Sequence, residues 1–126
     1  MQRSSIEDGF VSAENVEAAR RGFEAAMRGD LSAIEALLDP DVKWHGGDPG
    51  SGCQNREEAL HFIRQALDSG IQAELVDVID AGDRVVVVLQ PAGSDHPRAN
   101  LTTFRNGKVV EMVAFETPEH ALAASR

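Results

Sequence analysis

The chain has 126 residues, the length of one domain with room for one core or one cavity, and its hydrophobic fraction of 42% is that of a folded protein. With Lys+Arg at 12 against Asp+Glu at 21, the net charge is −9, which repels phosphate backbones and anionic lipid. No nucleic-acid or membrane partner is therefore expected. The single cysteine, Cys53, has no intramolecular disulfide partner, and the stretch "MQRSSIEDGFVSAEN" lacks the apolar run of a secretion signal. These features predict a cytoplasmic protein.

Residues 1–11 are expected as a flexible lead-in, and 12–126 as one domain. Ser12 can cap a helix in which Val16, Ala19, Phe23, Ala26 and Met27 recur at helical spacing up to Gly29. Asp30 caps a short second helix with Leu31, Ile34, Leu37 and Leu38 as its apolar stripe, ended by Asp39-Pro40. "DVKWH" alternates as a strand does, and "GGDPGSGCQ" has the composition of a loop. Asn55 with Glu58 starts a third helix, which Gly70 ends.

After Gly70 the period becomes that of strands. "IQAELVDVID", "RVVVVLQ", "RANLTTFR" and "KVVEMVAFE" follow, the last two joined by Asn106-Gly107, a strong hairpin signal. Thr117-Pro118 opens a short C-terminal helix. The order is that of an α+β fold, with helices packed on a mostly antiparallel sheet. In "VVVVL" every position is apolar, so both faces of that strand should be covered. Three N-terminal helices cover only one side, and a second copy of the chain is the expected cover of the other. A homodimer through the outer sheet face follows.

The stretches "GFEAAMRGDLSAIEALLDPDVKWHGG" and "TTFRNGKVVEMVAFE", in this element order, resemble the NTF2-like superfamily, and within it the SnoaL-like and ketosteroid-isomerase-like proteins. The resemblance covers roughly residues 12–120. It implies a cone in which three N-terminal helices pack on a curved sheet, with ligands held inside and no cofactor. Steroid isomerases of this fold use a carboxylate base and an oxyanion hole made of a tyrosine and a protonated aspartic acid. The base would fall near Gly46 and the oxyanion aspartate near Asn100, while the chain has no tyrosine. A standard steroid isomerase is excluded.

If the alternation follows the family, Trp44 points inward and His45 away. Met112, Ala114 and Glu116 then line the wall from the last strand, and Asn100, Thr102 and Phe104 from its neighbour. Gln90 would join them, with Phe23 and Phe62 reaching in from the helices. The resulting site is an apolar pocket for a small molecule, with a few polar groups to orient it. Glu116 among apolar neighbours would lose hydration and act as general acid or base; its structural alternative is a solvated rim position beside the C-terminal helix. Asp48 is either an ordinary turn residue before proline or a replacement base over the mouth. Trp44 is either core or ligand platform.

His45, His61, His96 and His120 lack paired-ligand spacing, so no metal site is expected. Two functions remain open. One is cofactor-independent proton transfer, as in isomerases and polyketide cyclases of this family, with Glu116 or Asp48 as base and Asn100 stabilising the oxyanion. The other is a non-catalytic ligand-binding or dimeric assembly domain of the same fold.

Overall fold

Residues 3–48 and 50–125 are described by a computed structural model, with side-chain surroundings from residue 13 onward. The helices are α1 (Arg3–Arg28), α2 (Leu31–Leu37), α3 (Arg56–Asp68) and α4 (Pro118–Ala124). The strands are β1 (Leu38–His45), β2 (Ala73–Ala81), β3 (Arg84–Pro91), β4 (Arg98–Arg105) and β5 (Lys108–Phe115). The helix starts follow local chemistry. Asp30 accepts from the Ala33 amide at 3.2 Å, Asn55 from Glu58 at 2.9 Å, and Thr117 from His120 at 3.2 Å. Each bond satisfies an amide that the first helical turn leaves without a partner. At the β4–β5 turn, Asn106 and Gly107 both take positive φ, 55° and 78°, as a tight twisted hairpin requires.

Two boundaries differ from those expected. Helix α1 begins at Arg3, so Ser12 lies within it rather than capping it. Once a helix is nucleated, each added residue gains a hydrogen bond, and a good cap residue does not compel a start. Strand β1 begins at Leu38 and runs through Pro40. It is an edge strand, where the missing proline donor costs no ladder bond.

The sheet order is β1-β5-β4-β3-β2, with β1 parallel to β5 and the other neighbours antiparallel. The β4–β5 register slips between Thr103 and Phe104, where Phe104 pairs with Val109 but Thr103 with Glu111. This bulge gives β5 one extra residue, Val110, and changes which side chains share a face. Val109 therefore joins Phe104 in the core on the helix side, although strict alternation places it with Glu111.

The two apolar faces have different covers. On one side Ala18, Ala25, Ile34, Val42 and Ala59 pack with Val78, Val85, Val87, Phe104 and Val109. On the other, Val86, Val88, Ala99 and Leu101 pack with Ala121 of α4. All four valines of β3 are buried, in keeping with the expectation that both faces are covered. On the outer side, part of the cover is the chain's own C-terminal helix. Arg84 fastens that helix by donating to the Ala124 carbonyl at 3.3 Å.

Candidate functional site

Strand pairing decides which residues share the helix-facing wall, because directly paired residues point to the same side of a sheet. Thr102 pairs with Val85 and Met112, and Met112 with Trp44. Asn100 pairs with Val87 and Ala114. Since Val85 and Val87 belong to the helix-side core, Trp44, Asn100, Thr102, Met112 and Ala114 all face the helices. Phe23, Trp44 and Met112 pack half-buried against that core, and Phe104 lies buried within it. Phe62 of α3 remains 51% exposed and meets Trp44 edge to face, with ring centroids 5.1 Å apart. Ala114 is exposed, so the wall is open to solvent beside Asn100.

The polar groups are fewer than the sequence suggests. The Asn100 side-chain oxygen is buried and has no hydrogen-bond partner among the described residues. Burying an amide oxygen without a partner is costly, so this atom stands out among the buried side-chain groups of the described residues. Glu116 follows the end of β5 and is exposed, so the desolvation implied by an inward placement does not arise. Asp48 is also exposed; its Oδ1 accepts from the Gly50 amide at 3.0 Å and its carbonyl from Ser51 at 3.0 Å, the bonding of a turn residue. Gln90 departs from its expected place. It shares the parity of Val86 and Val88, which lies on the outer face, and its amide donates to the Ser94 carbonyl at 2.6 Å.

His45 points away from the helices, as Trp44 beside it points toward them. It is 7% exposed, and its Nδ1 accepts from the Gly47 amide at 3.1 Å. That bond requires a bare Nδ1, so the proton sits on Nε2, which donates to Glu111 at 2.8 Å. Both ring nitrogens are engaged, leaving none for a substrate. Cys53 lies across from Trp44, joined by backbone bonds of 2.9 and 2.8 Å. Burial, and secondarily the Glu58 charge, push its thiol above the ordinary value, which disfavours a reactive thiolate.

Against this geometry, the SnoaL-like domain family matches residues 19–116. The chain belongs to that family. It accordingly has the NTF2-like fold. Among solved structures, Bal32a from a soil-derived mobile gene cassette is 24% identical, with 82% of this chain and 88% of that one covered at a TM-score of 0.67. A Jannaschia sp. CCS1 protein, provisionally assigned as a SnoaL-like polyketide cyclase, is 22% identical over 89% and 91% of the chains at 0.68. A Kribbella flavida protein, provisionally assigned as a ketosteroid isomerase, is 18% identical over 82% and 77% at 0.71. At these identities the likeness is one of fold. No curated protein matches the sequence.

In this SnoaL-like domain, two surface depressions lie outside the wall just described. A cleft of about 410 Å³ runs between the ends of α1 and α3, lined by Met27, Leu67 and Ile71 among others. A groove of about 290 Å³ lies between α2 and α3, beside Glu35, His61 and Arg64. Among the described residues, no group of three or more His, Cys, Asp or Glu side chains is arranged to hold a metal, and no helix is long and apolar enough to cross a membrane. Sequence reasoning missed Asn15, a polar residue only 4% exposed on α1. Its place one residue before Val16, at the edge of the apolar stripe, was the available signal. The His45–Glu111 pair was missed as well, because the two are 66 positions apart and meet only through the β1–β5 pairing.

Proposed function

We propose that this SnoaL-like domain binds a small, largely apolar molecule on the helix-facing side of the sheet. Trp44, Phe62, Phe23 and Met112 supply the apolar contact, Ala114 leaves space for approach, and Thr102 and Phe104 form the floor. Asn100 is the polar anchor. The observation that carries the reading is its buried side-chain oxygen, which lacks a partner among the described residues. A ligand hydroxyl or amide N–H placed there supplies the missing bond, a net gain of about 0.5–1.5 kcal/mol that water-excluding contacts reinforce.

The test is a thermal-shift and calorimetric screen of neutral, ring-containing alcohols and hydroxy-ketones, repeated on Asn100→Leu. Binding that Asn100→Leu weakens about two- to tenfold, roughly one hydrogen bond's worth, supports the anchor. A screen in which every compound binds both proteins equally removes it.

A second reading adds proton transfer without a cofactor. It is favoured by the provisional assignments of the Jannaschia and Kribbella proteins. Glu116, exposed just beyond the end of β5, would act as base, with Asp48 of the β1–α3 turn as the other carboxylate. The Asn100 amide would then donate to the developing oxyanion. Deuterium exchange next to a bound ketone's carbonyl, followed by NMR, measures this directly. The reading requires exchange that disappears in Glu116→Gln while binding persists.

Assembly and location belong to the same proposal. A second copy would pair through the part of the outer face that α4 leaves half-buried, around Ile79, Val113 and Phe115. A sedimentation mass of one chain at micromolar concentration counts against it. The unpaired Cys53 fits residence in a reducing cytoplasm.

A further inference from the structure

The chain that returns after β1 is fastened to three consecutive residues of that strand. Lys43 Nζ donates to the Gln54 carbonyl at 2.7 Å, Trp44 exchanges two backbone bonds with Cys53, and His45 accepts from the Gly47 amide. Gly52 adopts φ +77°, and a Cβ there would overlap the Trp44 carbonyl oxygen and lie 3.0 Å from the His45 Cα. The returning chain therefore lies directly against Trp44 and His45. It then enters α3, where the Glu58 carboxylate accepts from the Gln54 amide at 2.7 Å and Phe62 abuts Trp44. A histidine on the outer face thus holds the segment that joins the strand of Trp44 to the helix of Phe62.

We infer that His45 is a positioning residue for the Trp44–Phe62 pair, acting through the bond that its Nδ1 accepts from the Gly47 amide while Glu111 of β5 holds its Nε2. Glu111 is the charged group that contacts His45, and Lys43 shares its face of β1 with its ammonium on Gln54. Glu35 of α2 and Arg56, Glu57, Glu58, His61, Arg64 and Asp68 of α3 belong to helices packed on the opposite face, and Asp48 lies in the turn itself. The consequence for binding rests on the proposed ligand wall; the positioning itself does not.

Trp44 is the only tryptophan, so the emission reports the surroundings of this one ring. The experiment compares wild type, His45→Leu, His45→Gln and Glu111→Gln by circular dichroism, Trp44 emission, hydrogen-exchange protection of the Gly47 and Cys53 amides, and Nile red affinity. Expected for His45→Leu are a red-shifted Trp44 emission and at least about tenfold lower protection at Gly47. Glu111→Gln should keep that protection, because the Gly47 bond is intact. His45→Gln, whose amide can accept from Gly47, should restore part of it. Wild-type emission and Gly47 protection in His45→Leu would overturn the inference. If wild type fails to bind Nile red while these signals change as expected, the ligand wall is at fault and the positioning role stands.

Discussion

The rings of Trp44 and Phe62 meet edge to face, their planes at 84° and their centroids 5.1 Å apart, although one sits on a strand and the other on a helix. Trp44 is half-buried against the core and Phe62 is half-exposed, so the pair forms a border between packed interior and open wall. Such a contact contributes to both stability and recognition. An aromatic edge over a partner's face gains electrostatically as well as by area.

Phe62→Ala tests this border. The edge-to-face contribution is about 0.5–1.5 kcal/mol, and little further burial is lost because the ring is already half exposed. A modest fall in denaturant midpoint, a red shift of Trp44 emission and weaker ligand binding should appear together. A core-sized loss of stability would mean that Phe62 is structural first.

Two glycines give opposite expectations on substitution. Gly52→Ala forces a side chain into a left-handed backbone and onto the Trp44 carbonyl, a cost of at least about 1–3 kcal/mol. Gly22→Ala meets only the Leu37 Cδ2, at 2.7 Å, and gains helix propensity of about 1 kcal/mol over glycine. Urea titrations should show the first strongly destabilised and the second near neutral. Equal losses would show that the Leu37 side chain has no room to move.

Asn100→Leu should separate binding from stability. Removing a buried oxygen that has no partner relieves its desolvation cost, so the free protein is expected to gain about 1 kcal/mol while ligand affinity falls. A rise in melting temperature with lost binding is the predicted signature. A loss of both would show that the amide supports the fold.

The C-terminal helix can be tested by truncation after Glu116. Val86, Val88, Ala99 and Leu101 then lose Ala121 and Leu122 as cover, leaving an apolar patch on the outer face. Sedimentation velocity should show larger species than the full chain forms, with a lowered melting temperature. A truncated chain that sediments like the full chain and is equally stable would make α4 dispensable as cover.

Cys53 provides a pH-dependent reading. Burial is the first cause and the Glu58 charge the second of a thiol raised above its ordinary 9.0, so the folded chain resists ionisation there more than the unfolded chain does. The sign is that this contribution to stability is intact below pH 9.0 and is lost as pH rises above it. Iodoacetamide should label the folded protein slowly at pH 8 and somewhat faster in Glu58→Gln. Labelling as fast as a free thiol would contradict the burial.

The sequence by itself determined most of the elements. Caps at Asp30, Asn55 and Thr117, the Asn106-Gly107 turn and the shift from helical to alternating apolar spacing depend on contacts a few residues apart, and they act locally wherever the chain goes. It also determined the family likeness, and the helix-facing placement of Trp44, Asn100, Thr102, Met112 and Ala114. What it left open was decided by distant partners. The bulge opposite Phe104 brought Val109 to the core, the face of Val86 took Gln90 away from the wall, and α4 folded back over the strands. The His45–Glu111 bond and the unpartnered oxygen of Asn100 likewise exist only once the strands are paired. Periodicity tells which residues alternate, but which face is inside, and what lies against it, is set by the register between strands and by the helix that arrives last.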